Sequence, residues 1–324
     1  MLNENLNIVY SSDNNYCAYM GVSISSVLEN NRNFKNINLF IIDNDITIEN
    51  KNKLISLVKS YNRQIFFIDF NKYKRYLNLN MEWDISISSY ARLFVCSILP
   101  LEIQKVLYFD CDTIIVDNLE ELWNENIDEF YVAGVCDTVP SNVKKMVGLK
   151  STDFYINAGM LLINLKKWRE DNLENKFLEF IDGHNGNVIH HDQGVINGVI
   201  KNKKILPVKY NLMTSYYMMK REEIVKFYNV EDEFYNNEEI KEAIKSPVYI
   251  HYTPGFTTRP WVKRCKHPKV DLFWKYLRIT PWKDLKPIKN NEKARVKIVN
   301  WIYLNIPFNM ADKFCKFVIK ILKK

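Results

Sequence analysis

Short apolar runs alternate with helical stretches through the first third of this chain, and that rhythm constrains its fold more than any other feature. Residues 7–12 (NIVYSS) predict a strand and 16–30 a helix, with Ala18, Val22, Ser25, Ser26 and Val27 lying toward one side. Residues 37–43 (INLFIID) predict a second strand, 47–61 a helix, 65–70 a strand, 88–99 a helix and 106–109 a strand. The strand runs are nearly continuous in apolar residues, so both faces of the sheet must be covered. The combination selects an α/β fold with a mainly parallel central sheet, in which ligands bind beyond the carboxyl ends of the strands. The second half is less regular, with strands expected at 130–135, 155–164 and 248–252 and a short helix over 194–200 opened by polar residues. No internal repeat and no Pro/Ser-rich linker marks a domain boundary.

Composition narrows the function classes. With 324 residues, 47% hydrophobic and 26% charged, the chain has material for one large domain or two closely joined ones, and intrinsic disorder is excluded. No run approaches the roughly 18 apolar residues of a membrane-spanning helix, and the first residues lack the basic and apolar regions of a signal peptide. The expectation is a cytoplasmic protein. The six cysteines are scattered with no CxxC, which suggests neither a disulfide framework nor a zinc module but small buried apolar residues. Neither GxGxxG nor GxxxxGK[ST] occurs among only 9 glycines, which argues against dinucleotide-binding and P-loop enzymes.

The sharpest chemical feature is KVLYFDCDTIIVDNLEELW, residues 105–123, where an apolar strand runs straight into Asp110 and Asp112. If the extended geometry persists, the period of two puts both carboxylates on one side at the strand's carboxyl end. Two hard oxygen donors there can hold a divalent cation together with substrate phosphates, although an isolated DxD also serves simply to cap a turn. In IHYTPGFTTRPW, residues 250–261, His251 ends a short apolar strand and can offer one imidazole nitrogen to the same cation. Gly255 and Arg259 lie close enough in sequence to form a small basic loop against phosphate. An Asp/Asp/His set with open positions suits Mn²⁺, and Mg²⁺ would also serve. Taken alone, this segment reads more readily as a core histidine in a Pro-bounded turn than as a metal ligand. His190 and His191 read as structural or solvent-facing.

Five ordered blocks make the chain recognisable: NIVYSSDNNYCAYM, ISSYARLFVCSILP with KVLYFDCDTIIV, FYINAGMLLINLKKW, HHDQGVINGVI, and the IHY…RPW segment. Together they resemble the retaining glycosyltransferases of family 8, the group containing glycogenin and the bacterial lipooligosaccharide galactosyltransferases, from about Asn7 to Trp282. The resemblance implies a single nucleotide-diphospho-sugar transferase domain of the GT-A, Rossmann-like type over 1–285, with donor recognition in the first half and acceptor recognition mainly in the second. It implies a UDP-sugar donor and a metal cofactor, Mn²⁺ or Mg²⁺, held by Asp110, Asp112 and His251. Ser11, Asp13, Asn15 and Tyr16 fall where the family holds uridine, although the same residues would also suit an Asp/Asn-rich turn with a helix cap. Arg92 matches an arginine directed at the donor sugar and diphosphate, for which a structural ion pair is the alternative reading. Asn157 and Asp192 correspond to sugar-hydroxyl contacts, Gln193 to the residue beneath the anomeric carbon, and Asp137 to a position that meets the acceptor.

The implied chemistry is coherent. A nucleoside diphosphate leaves readily only when its developing charge is neutralised, which a cation, Arg259 and the backbone near Gly255 can do. Departure leaves an oxocarbenium-like sugar. Gln193 is an amide and a poor nucleophile, so same-face attack by the acceptor is favoured, with Asp192 as the fallback nucleophile. Two departures stand out. Arg259 occupies the place of the family's usual Lys before Pro-Trp, and its spacing from His251 is longer than in the galactosyltransferases. Trp83 and Asp84 lie where sugar specificity can be tuned.

Residues 286–324 form a basic, aromatic tail. From 310 to 322 apolar Phe314, Phe317, Val318 and Ile321 recur at helical spacing with Lys313, Lys316, Lys320, Lys323 and Lys324 around them. This fits an amphipathic helix on an anionic membrane surface, and equally a helix docked on the body with its lysines in water. The sequence therefore points to metal-dependent transfer of a hexose to an oligosaccharide or lipid-linked glycan in cell-surface polysaccharide or lipopolysaccharide assembly, at the inner face of the membrane. A non-catalytic sugar-nucleotide or glycan binder is the second reading. Nucleic-acid binding ranks last: beyond a net charge of +7, no motif supports it.

Overall fold

The computed structural model describes residues 5–80, 87–230 and 234–322, with side chains as far as residue 315. Strands β1 (Asn5–Asp13), β2 (Asn36–Asn44), β3 (Gln64–Asp69), β4 (Lys105–Phe109), β6 (Val132–Cys136), β7 (Ile156–Asn164) and β8 (Lys203–Ile205) build a seven-stranded sheet in the order β3-β2-β1-β4-β7-β6-β8. Strands β5 (Thr113–Ile115), β9 (Leu212–Met213) and β10 (Tyr249–His251) build a small second sheet, ordered β5-β10-β9.

The large sheet is mainly parallel, as the apolar runs require. β1 pairs in parallel with β2 and β4, β2 with β3, and β6 with β8, while β7 runs against both of its neighbours. Because side chains alternate across a strand, Ile8, Tyr10, Leu39 and Ile41 enter one apolar cluster and Val9, Phe40 and Ile42 another on the opposite face. Every residue of β7 is buried. The reversal of β7 matters for function: its first residues lie at the edge where the parallel strands end.

Helices α1 (Cys17–Asn30) and α2 (Ile48–Lys59) cover the first face, and α3 (Leu173–Gly183) and α4 (His191–Val199) the second. α2 is shorter than its apolar pattern: Thr47 lies outside it as the cap, its hydroxyl accepting from the Asn50 amide, and Asn62 turns left-handed after it. α4 starts earlier than expected, so Asp192 and Gln193 belong to its first turn. The helix expected at 88–99 is instead a 3₁₀ segment, Ile87–Phe94, followed by a short α-turn, Val95–Ile98. Side-chain anchors fix this tighter winding: Ser11 Oγ donates to the Ser88 carbonyl, Asn44 Nδ2 to Ser88 Oγ, and Arg92 Nε to its own Ser89 carbonyl.

Farther along come α5 (Arg221–Tyr228), α6 (Val270–Leu277), α7 (Ala294–Asn305) and α8 (Phe308–Leu322). α7 and α8 meet through Ile302, Ala311 and Cys315, and Tyr303 and Phe308 reach back onto the main core. Phe317, Val318, Ile321 and the lysines after residue 315 lie outside the described side chains. All six cysteines are free, and all but Cys265 are buried, as read from sequence. Among the described residues no helix is long and apolar enough to cross a membrane.

Candidate active site

The site forms where the carboxyl ends of β1, β4 and β6 meet the start of β7 and the end of β10. The DxD segment is the crossing point between the two sheets. The Asp110 amide still bonds to the Gly159 carbonyl of β7 at 2.9 Å, while the Asp112 carbonyl accepts from the Tyr252 amide after β10 at 3.0 Å. The extended geometry expected through both aspartates does not persist: β4 ends at Phe109 and the chain bends, with Thr113 Oγ1 capping the Asp110 carbonyl at 2.8 Å. The carboxylates converge because each is pinned to a different sheet. Between them, Cys111 is buried against the Ser11 carbonyl.

Asp110, Asp112 and His251 each present one ligand atom, all within 4.8 Å of one another. His251 Nε2 lies 3.3 Å from Asp112 Oδ1 and 3.9 Å from Asp110 Oδ2. Its Nδ1 faces Asn211 Oδ1 at 3.0 Å, which assigns the N–H to Nδ1 and leaves Nε2 to point at the carboxylates. Burial opposes ionisation of Asp112, yet Arg259 and His251 hold its carboxyl well below the usual range. Burial likewise pulls His251 down, and the Asp112 and Asp110 carboxylates outweigh it and raise it. Two carboxylates facing one imidazole nitrogen in a buried corner are a donor set that fits a divalent cation.

Gly159 is required here. A Cβ at this position would lie 2.2 Å from His251 Cε1, so only a bare backbone lets β7 and the imidazole approach. Asn157, two residues earlier, accepts from the Gly159 amide and from Asn211 Nδ2 with its Oδ1. Asn211 thus ties the histidine to Asn157.

Arg92 sits at the centre of a second group. Its guanidinium bonds to Asp110 Oδ1 and Asp192 Oδ2, each at 2.8 Å, donates to the Ala158 carbonyl, and lies 4.2 Å from the Tyr108 ring centroid. The structural ion pair expected as the alternative reading is present: Arg92 is buried and bridges Asp192 and Asp110. Burial pushes Asp192 up to about 6, against the pull of Arg92. Alongside, Gln193 Nε2 donates to Asp137 Oδ2 at 2.8 Å, and Gln193 Oε1 accepts from the Ala158 amide at 3.0 Å and from Asn157 Nδ2 at 3.2 Å. Asp137 also accepts from Asn157 Nδ2, so the three residues form a closed polar network. They line a cavity of about 460 Å³ with His190, Met213, Tyr228, Gly255 and Phe256. His190 lines the cavity wall and bonds to Tyr155 OH, in keeping with a structural histidine.

At the end of β1, Asp13 Oδ1 accepts from the Asn15 and Tyr16 amides, which is the turn-capping alternative. Ser11 is buried with its hydroxyl turned to Ser88. Tyr16 packs edge-on against Trp261, and its phenol feels both Arg259 and Asp112, so this turn borders the metal corner. Arg259 Nε bonds to Asp112 Oδ2 at 2.8 Å. Trp261 stacks on Tyr19 with ring centroids 3.8 Å apart, which fixes the loop carrying Arg259 onto α1. Gly255 lines the cavity with Asp137, and Arg259, four residues on, bonds to Asp112. Trp83 and Asp84 lie outside the described residues. Asn211, Gly159, Tyr108 and Tyr228 are further residues of the site that the sequence does not single out. Of these only Asn211 carried a signal, as a lone polar residue between Tyr210 and Leu212.

The family model for glycosyl transferase family 8 matches residues 7–265. The chain belongs to that family. It is 29% identical over 289 residues to a lipopolysaccharide 1,2-glucosyltransferase of Escherichia coli, covering 88% of this chain and 81% of that one. It is 26% identical over 285 residues to general stress protein A of Bacillus subtilis, covering 86% and 95%. The crystal structure of galactosyltransferase LgtC in complex with donor and acceptor sugar analogs superposes with a TM-score of 0.70 at 25% identity, covering 85% of this chain and 96% of that one. The fold is accordingly of the GT-A type, and the family is one of sugar transferases.

Proposed function

We propose that the chain transfers a hexose from a UDP-sugar to a glycan acceptor with retention at the anomeric carbon, using a divalent cation held by Asp110, Asp112 and His251. The observation that carries this reading is the convergence of that triad with Arg92, Arg259 and the Asp137/Asn157/Gln193 network at one sheet edge. When bound, Mn²⁺ or Mg²⁺ supplies Lewis-acid stabilisation of the departing diphosphate.

The protein's own groups divide the remaining work. Ser11, Asp13, Asn15 and Tyr16 border the base, and Tyr16 offers the ring. Arg92 orients the donor sugar and diphosphate, its fork held by Asp192. Arg259 adds permanent positive charge where negative charge develops on the leaving group. Gln193 has both Oε1 lone pairs engaged, by Ala158 N–H and Asn157 Nδ2, and Asp192 is locked to Arg92. Neither is poised as a nucleophile. Same-face attack by the acceptor follows, with the departing phosphate oxygen taking the acceptor's proton. The cavity beside Asp137 takes the acceptor.

The setting we propose is bacterial cell-surface polysaccharide or lipopolysaccharide-type assembly, the process named for the E. coli relative. Residues 1–285 act as the catalytic domain, and 286–324 as a peripheral attachment to the cytoplasmic face of the membrane, presenting a lipid-linked acceptor. Exposed Ile298, Trp301 and Met310 beside Arg295, Lys297 and Lys313 support that attachment. The test is hydrolysis of UDP-glucose, UDP-galactose and their N-acetyl forms with and without Mn²⁺. Metal-dependent UDP release from one of them, absent in Asp112→Asn, is expected. No release, together with no rise in melting temperature on adding UDP and Mn²⁺, would favour the non-catalytic reading.

A further inference from the structure

Three residues lining the cavity beside Asp137 have positive φ: His190 at 57°, and the adjacent Gly255 and Phe256. Gly255 has φ 137° and Phe256 has φ 55°. Glycine tolerates such values, but a bulky aromatic residue in the left-handed region is uncommon and persists only where its surroundings hold it. The surroundings of Phe256 are aromatic. Its ring lies 5.1 Å from Phe227 of α5 and 5.3 Å from Tyr303 of α7. Phe227 in turn meets Tyr228 at 4.8 Å, Tyr303 at 5.4 Å and Phe308 of α8 at 6.4 Å. Tyr228 closes the circuit, because its hydroxyl is the nearest group to a Cβ built on Gly255, and it lines the same cavity.

Polar contacts tie the helical pair down at the same place. Lys226 of α5 bonds to Asn309 Oδ1 at 3.0 Å and approaches the buried Asp312 carboxylate at 3.6 Å. The rest of α7 is largely exposed, with Trp301 60% exposed only two residues from Tyr303. Among the described side chains, Tyr303 and Phe308 of the C-terminal pair reach the aromatic group that includes Phe256.

We infer that Tyr303 and Phe308 are positioning residues for the acceptor side: the C-terminal helices clamp Phe256 in its left-handed conformation and so hold the Gly255 wall of the cavity in place. This rests on the reading that the cavity takes the acceptor. The clamp gives the tail a role inside the site, separate from any surface it binds. A tail that moves would loosen the acceptor wall while leaving Asp110, Asp112 and His251 in place.

Hydrogen exchange read by mass spectrometry on the full chain tests it. In Tyr303→Ala, the amides of Gly255, Phe256 and Thr257 are expected to exchange at least tenfold faster, while β1, β4 and β7 stay within twofold of the wild type. Tyr303→Phe should restore protection and Trp301→Ala should leave it unchanged. Phe308→Ala should repeat the effect if Tyr303→Ala folds poorly. Unchanged exchange at 255–257 in folded Tyr303→Ala and Phe308→Ala would overturn the clamp, as would faster exchange spread evenly over the chain or an equal effect from Trp301→Ala. UDP with Mn²⁺ should raise the melting temperature of Tyr303→Ala as much as that of the wild type. A wild type that shows no such rise counts against the transferase reading, while the exchange pattern still decides the clamp.

Discussion

At the residue scale, the feature most open to test is a neutral one. Asn211 is fully buried and joins His251 Nδ1 to Asn157, so it sets which imidazole nitrogen faces the carboxylates. Asn211→Ala is expected to weaken Mn²⁺ binding in the presence of UDP by about 10- to 100-fold, the usual cost of losing a partner behind a metal ligand. Calorimetric titration reads this directly, and an unchanged affinity would deny Asn211 that role. Asp192 carries a pH signature. Its carboxyl, raised by burial to about 6, keeps a proton in the folded chain that the unfolded chain releases near pH 4. Its contribution to stability is therefore present at low pH and lost as pH rises through about 4 to 6, on the order of 2–3 kcal/mol. Activity should move the opposite way, rising through pH 6 as the ionised carboxylate grips Arg92. Urea unfolding at pH 5 and pH 7, beside a pH–rate profile, checks both, and Asp192→Asn should flatten the difference in stability.

At the scale of elements, the crossing of β4, β7 and β10 is what makes the site. Gly159→Ala is expected to keep the sheet, since β7 is paired on both sides, and to displace the His251 ring, lowering Mn²⁺ affinity at least tenfold while melting temperature shifts by only a few degrees. A variant that binds Mn²⁺ normally would mean the ring can give way. The parallel half of the sheet was legible because continuous apolar runs leave few alternatives, and Asp110, Asp112 and His251 because each ends such a run. The manner of their meeting was not legible. Period-two reasoning put both carboxylates on one strand, whereas a bend between two sheets aims them, and that bend depends on long-range pairing with Gly159 and Tyr252. The 3₁₀ winding over Ile87–Phe94 escaped for the same reason, because Ser11 and Asn44 fix it from other strands.

For the whole molecule, the C-terminal helix pair leaves Ile298, Trp301 and Met310 exposed, the surface we propose for membrane attachment. Ile298→Ser with Trp301→Ser should reduce binding to vesicles containing anionic phosphatidylglycerol at least fivefold, with little effect on UDP-sugar hydrolysis, because both side chains point to solvent. Cosedimentation reads the binding, and undiminished binding would leave that face without a membrane role. In the proposed function, Asp110, Asp112 and His251 jointly hold the cation for a UDP-sugar. Electron paramagnetic resonance of Mn²⁺ titrated into the protein with UDP tests it most directly. One tight site per chain is expected, strengthened by UDP and weakened at least tenfold by Asp112→Asn and by His251→Ala. Mn²⁺ binding of full strength in both variants, or binding indifferent to UDP, would contradict it.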